Sequence, residues 1–134
     1  MPYGCARKNQ EPDMTKATRD AFIYKILTLD QWEAFQTEFN FKGSPVDLSD
    51  GYIHMSCVPE LKETMDKYYA DQDEVALLKV EATAIEANLK YEISRGGAEF
   101  PHLFADMPIE AVKHVWLVSP EDGSYSLPND VTAN

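Results

Sequence analysis

Basic residues are scarce in this sequence. Among its 134 residues Lys and Arg number 12 against 23 for Asp and Glu, a formal charge of −11 at pH 7. A broad nucleic-acid groove is thereby excluded, because affinity for a phosphate backbone comes mostly from Lys and Arg. An anionic membrane surface is excluded on the same ground, whereas one small anionic ligand gripped by a single local arginine is not. Cysteine is nearly absent as well: Cys5 and Cys57 are too few for a disulfide framework and have no metal-type spacing. No apolar run approaches the ~20 residues of a membrane span. Residues 1–20 lack the apolar core of a signal peptide, and with four basic and three acidic residues they are too acidic for a presequence. P-loop, dinucleotide-fingerprint and zincin motifs are all missing. The expectation is a reduced, soluble, cytoplasmic protein that holds no metal.

What is present suffices for a core. Hydrophobic residues make up 44% of the chain and aromatics 11%, which rules out intrinsic disorder. The length fits one domain. Residues 1–20 and 119–134 are polar and rich in turn formers, so they are read as flexible tails. The 21–118 body, with eight basic and seventeen acidic residues, is read as a single α+β domain.

Patterning divides that body into short elements. Phe22-Ile-Tyr-Lys-Ile-Leu27 reads as a strand. Thr28-x-x-Gln31 is a capping box opening a helix with Trp32, Phe35 and Phe39 on one stripe. Residues 41–50 read as a loop, with Ser44 and Asp47 as turn residues. Tyr52 to Cys57 reads as a strand, and Pro59 opens a helix with Leu61, Met65, Tyr68 and Tyr69 on one face. Strands follow at Glu74–Glu81, Leu89–Ser94 and Val112–Val118, with a capped helix from Thr83 between the first two. Phe100–Phe104 carries Pro101 and reads as an edge strand or an extended loop. Strands outnumber helices and connections are mostly short, which gives a mainly antiparallel α+β fold.

Two stretches hold the residues suited to chemistry. Alternation in Tyr52-Ile-His-Met-Ser-Cys57 puts Ile53, Met55 and Cys57 on a core face, where Cys57 serves as inert packing. Tyr52, His54 and Ser56 fall on the other face, where a histidine and a hydroxyl two residues apart can reach one ligand; equally, such a histidine can simply hold a neighbouring loop. In Ser94-Arg-Gly-Gly-Ala-Glu-Phe-Pro-His102, Arg95 is the only arginine of the body. A lone guanidinium suits a bidentate grip on phosphate or carboxylate, with a structural ion pair as the plainer alternative. Gly96 and Gly97 allow positive φ or close backbone approach. His102, after Pro101, is either a ligand-facing group or a histidine packed on Phe100 and Phe104. Trp32 reads more readily as core than as a ligand platform. A Ser56-His54-Asp47 triad can be assembled on paper, but no nucleophile elbow accompanies it.

The succession FIYKI…W, GSPVDLSDGYIHMS, YYADQ, VALLKVEA, SRGGAEFPHLF and MPIEAV resembles the domain-of-unknown-function family 952 across nearly all of residues 22–118. That family is similar to the ADP-ribosyltransferase fold, a split and mostly antiparallel sheet whose cleft binds NAD in active relatives. The resemblance implies that Gly51-Tyr-Ile-His-Met-Ser56 and the helix bearing Tyr68 flank a nicotinamide. It implies catalytic roles for His54, His102 and Glu99, and binding roles for Arg95, Ser56, Tyr52, Gly96, Gly97, Tyr68 and Trp32. Where members of the family often carry His on the first strand, this chain has Lys25. Two readings result: an NAD-linked ADP-ribosyl transferase or related glycosyl-transfer enzyme, or a non-catalytic module binding a nucleotide-like or anionic metabolite or a protein partner.

Overall fold

Thr28 ends the first strand and starts the first helix at one stroke. In the computed structural model, which describes residues 21–93 and 97–131, the apolar run forms β1 (Phe22–Thr28). The Thr28 hydroxyl accepts from the Gln31 amide at 3.2 Å and the Gln31 side chain accepts from the Thr28 amide at 2.9 Å. This reciprocal cap opens α1 (Leu29–Glu38). Phe35 is buried and Trp32 packs beside it. Phe39 does not complete the stripe: it ends the helix in the left-handed region at φ 61 with its ring 66% exposed.

Eleven further elements follow among the described residues: β2 (Asn40–Phe41), α2 (Pro45–Asp50), β3 (Ile53–His54), α3 (Val58–Tyr68), β4 (Val75–Glu81), β5 (Leu89–Ile93), β6 (Glu99–Leu103), β7 (Met107–Pro108) and β8 (Val112–Val118), with a 3-10 turn at Ile109–Ala111 and a longer 3-10 stretch over Ala82–Asn88. The longer stretch has Glu81 at its start with no side-chain cap, so Thr83 does not play the expected capping role. The strands form sheets of order β1-β4-β8, β3-β6-β5 and β2-β7, and every pairing is antiparallel. The two three-stranded sheets meet at a bridge between Tyr24 and Ser56, each amide donating to the other's carbonyl at 2.8 Å. The expected α+β class with antiparallel sheets is what the chain adopts.

Strand alternation gives the β1-β4 pair a core on each side. Ile23, Leu27, Ala76, Leu78 and Val80 face one cluster, and Tyr24, Ile26, Val75 and Leu77 face the other. Lys25 falls on the first face, between Ile23 and Leu27, and is 5% exposed. A lysine there must find a partner, because an unpaired buried ammonium is costly.

Two expectations are corrected. β6 is the centre of its sheet and not an edge. Pro101 is tolerated there because its carbonyl accepts from Met55 at 3.0 Å while β3 runs no further than His54. In an antiparallel ladder a residue's N–H and C=O point the same way, so the missing donor faces the point where pairing stops. Second, residues 119–131 are not an open tail. Tyr125 is fully buried, its hydroxyl donating to Tyr69 O at 2.6 Å and its amide to Asp66 at 2.7 Å, and Leu127 and Val131 pack on the same cluster. Cys57 is buried in the core, as alternation requires.

Candidate functional site

Asp47 organises the polar centre of the molecule. Ser44-Pro45-Val46-Asp47 is a short helix start: the Ser44 hydroxyl caps the Asp47 amide, Pro45 occupies the first turn, and Asp47 reaches back to the Ser44 amide at 2.9 Å. Its carboxylate is 1% exposed and accepts from four donor groups. Oδ2 takes Ser44 N–H and Lys25 Nζ, the latter at 3.0 Å; Oδ1 takes His54 Nδ1 at 2.6 Å and the His54 amide at 3.1 Å. Four donors suffice to fill the lone-pair sites of a carboxylate.

The β3–β6 ladder explains why His54 is available to Asp47. Since Met55 and Pro101 make the hydrogen-bonded step, the adjacent pair His54 and His102 is the non-bonded one. The backbone of His54 therefore turns away from β6. Its amide goes to Asp47, and its carbonyl accepts from Lys25 Nζ at 2.8 Å. Lys25 thus ties β1, α2 and β3 together. On the far side of the imidazole, Nε2 lies 3.0 Å from Asp50 Oδ2.

Non-bonded pairs bring side chains closest, and the rings of His54 and His102 stand 5.7 Å apart. His102 is buried, and its Nδ1 meets Glu92 Oε1 of β5 at 2.6 Å. Tyr52 stacks on His102 at 4.1 Å and contacts His54 at 4.7 Å and Phe104 at 5.1 Å. One side of the β3-β6-β5 sheet is accordingly an aromatic and imidazole surface edged by carboxylates. Asn40 and Lys42 hold Asp106 nearby, and a cleft of about 230 Å³ opens between Leu48, Tyr52, Phe104 and Asp106, with Asp47 in its wall. Neither His54 nor His102 lines that cleft.

Charge is finely set here. Burial raises the Asp47 carboxyl, but the His54 hydrogen bond, the Lys25 charge and the backbone amides outweigh it and hold it well below the usual carboxylate range. Burial pushes Lys25 below the usual ammonium value, with Asp47 opposing. Burial also lowers His102, against the pull of Glu92. Tyr52 is raised, by burial first and then by Asp50, Glu92 and Asp47. No group of three or more metal-type donors exists among the described residues, and no described helix is long and apolar enough to cross a membrane.

The expected site residues separate into those the fold gathers and those it does not. His54, His102 and Tyr52 come together. Ser56 leaves their face: it is buried and its backbone pairs with Tyr24 of β1. Glu99 lies on the side of β6 shared with Pro101 and Leu103, opposite His102, so the carboxylate on the histidine is Glu92. Tyr68 points to solvent, 58% exposed, and Trp32 packs edge-on against Phe35 in the core. Gly97 has φ +82 with open space around its Cα, which fits a turn and not a close approach. Arg95 and Gly96 lie outside the described residues.

A family match now joins this geometry: residues 26–115 match the family described as a protein of unknown function, DUF952. The chain belongs to the DUF952 family. It is also similar to the Caulobacter crescentus protein CC0527. The crystal structure of CC0527 shares 40% sequence identity with a TM-score of 0.75, covering 78% of this chain and 93% of that one. Its solution NMR structure shares 38% identity with a TM-score of 0.70, covering 78% and 90%. No curated protein matches the chain. This DUF952 chain departs from what its sequence suggested in the residues that brace the histidine. The sequence offers Asp47 only as a turn residue or in a triad without a nucleophile elbow, marks Lys25 only as a departure from the family, and singles out neither Asp50 nor Glu92. The pattern Ser44-Pro-x-Asp47 was the available signal for Asp47, since it marks a capped helix start.

Proposed function

We propose that this protein is an NAD-binding enzyme of the ADP-ribosyltransferase-like kind, breaking the bond between ribose and nicotinamide, with His54 as the group that holds the ribose. The observation that carries this reading is the Lys25–Asp47–His54 chain. A carboxylate with a full set of donors fixes the imidazole through Nδ1 and leaves Nε2 for a ligand, which then displaces Asp50. Loss of nicotinamide develops positive charge at the ribose, and preorganised carboxylates oppose such charge. Asp50 and Glu92 flank the imidazoles and supply this stabilisation in place of Glu99. Tyr52 supplies an aromatic surface for a flat ring. In this reading Arg95 grips the pyrophosphate. Antiparallel sheets joined at one bridge, and the resemblance of the family to the ADP-ribosyltransferase fold, support the choice of chemistry.

Incubation with NAD is expected to release nicotinamide, and release is expected to vanish in His54→Ala. Calorimetry with NAD or ADP-ribose is expected to show binding that Arg95→Ala weakens. Absence of binding at millimolar ligand sinks the reading.

One observation favours a second reading, a non-catalytic module for a nucleotide-like metabolite. Both ring nitrogens of His54 already face carboxylates, so this surface is satisfied without a ligand. Binding of NAD or ADP-ribose without nicotinamide release would select it.

A further inference from the structure

We propose that the cleft between Leu48, Phe104 and Asp106 binds a planar nitrogen heterocycle through an amino group beside a ring nitrogen, the edge that adenine presents. Any adenine nucleoside carries that edge, and neither imidazole lines the cleft, so the proposal does not rest on the glycosyl-transfer reading. Two strand ladders run out here. One step beyond the β3–β6 pair Ile53–Leu103, Tyr52 falls opposite Phe104, and their rings stand 5.1 Å apart. One step beyond the β2–β7 pair Phe41–Met107, Lys42 falls opposite Asp106. Ala105 alone separates Phe104 from Asp106, so the first ladder supplies an aromatic wall and the second a charged end. Leu48 of α2 adds an apolar lining; it is 63% exposed and Phe104 39%, surface that a flat ring would cover.

The charged end has unused capacity. Asn40 Nδ2 at 2.8 Å and Lys42 Nζ at 3.2 Å both donate to Oδ2 of Asp106, and no described residue bonds its Oδ1. Lys42 has three N–H donors and uses one on this contact. An acceptor thus stands beside a donor, which matches a ligand edge where an N–H adjoins a lone pair. The amino group of the ligand donates to Oδ1, and its ring nitrogen accepts from Nζ. Charge selects against an anion: Lys42 is the one cation lining the cleft, and Asp106 already offsets it. Size selects as well. Drug-sized ligands fill roughly 300–1,000 Å³, so a cleft of about 230 Å³ takes one ring system and leaves sugar and phosphate outside.

Titration of the full chain with adenosine, followed by ¹H–¹⁵N NMR, is expected to shift Gly51, Tyr52, Phe104 and Ala105. Millimolar adenosine that leaves these signals in place overturns the proposal, as does binding that shifts only residues elsewhere. Purine riboside, the same nucleoside without its amino group, is expected to bind about tenfold more weakly or worse, because a hydrogen bond to a charged group is lost. Equal affinity for the two overturns the proposal. Asp106 is half-exposed, so Asp106→Ala is expected to fold, and it should bind the two nucleosides equally. Comparing two ligands on one variant cancels any general damage, and a variant that still prefers adenosine overturns the role of Asp106. Lys42→Met is expected to weaken both nucleosides alike, since each keeps the ring nitrogen; unchanged affinity overturns the role of Lys42. Nicotinamide carries a donor and an acceptor on a smaller ring, and tighter binding of it than of adenosine in this cleft overturns the choice of heterocycle.

Discussion

The two carboxylate–histidine pairs are inside-out versions of one another. Both have Nδ1 to carboxylate contacts of 2.6 Å, yet in one the carboxylate is 1% exposed and the histidine 35%, while in the other the histidine is 5% exposed and the carboxylate 45%. The difference follows from the sheet. His54 sits on the outer strand β3, whose backbone turns from its neighbour toward α2 and there meets a buried Asp47. His102 sits on central β6, covered by Tyr52, and reaches across to a carboxylate on outer strand β5. Where the acid is buried it must be braced by Lys25 and backbone amides; where it is exposed, water does that work. Stability should therefore concentrate in the first pair.

Truncating each acid is the harshest comparison. Asp47→Ala strands Lys25 in the core and leaves the Ser44 and His54 amides without their acceptor, a loss expected at about 3–5 kcal/mol. Glu92→Ala, at a half-exposed position, is expected to cost no more than about 1 kcal/mol. Urea unfolding of both variants checks this, and equal losses would break the comparison. A smaller effect isolates the ion pair. Lys25→Met and Asp47→Asn, alone and together, form a double-mutant cycle in which the double variant should be less unstable than the two losses added, with a coupling of about 0.5–3 kcal/mol.

This asymmetry was only half legible in the sequence. Alternation correctly put His54 outward and Ile53 and Met55 inward, and the Thr28 capping box was plain. Asp47 was hidden because a six-residue helix gives too short a period to see, so its cap looked like a turn. Lys25 was visible only as an oddity in an apolar strand; its partner lies 22 residues on, and no local pattern encodes that distance. Pro101 misdirected the topology, because the rule confining proline to edges yields where the neighbouring strand is ending. Tyr125 stood in a segment whose composition favours open chain, and one buried aromatic with a bonded hydroxyl outweighed its neighbours.

The pH dependence of folding should separate the pairs in a gentler way. His102 has its proton affinity lowered from the ordinary 6.5 by burial. As pH falls below that value the unfolded chain takes up the proton first, so stability is full above it and is lost below it. One group contributes a slope of at most about 1.4 kcal/mol per pH unit. Asp47 acts in the same direction but only in acid, since stability from a lowered carboxyl is present above the ordinary 3.8 and lost beneath it. Unfolding free energies measured from pH 7 to 3 should show both falls. His102→Asn should flatten the upper one alone.

The smallest effect asks which histidine Tyr52 supports. Its ring is closer to His102, at 4.1 Å and an interplanar angle of 23°, than to His54, at 4.7 Å and 48°. Stacked pairs contribute about 0.5–1.5 kcal/mol beyond the area they bury. Tyr52→Leu keeps an apolar side chain there while removing the ring, so most of its cost should come from lost stacking. Measured in the His102→Asn background that cost should shrink, and in the His54→Asn background it should persist. The opposite order would mean that the ring braces the exposed imidazole instead, and that the buried pair stands on Glu92 alone.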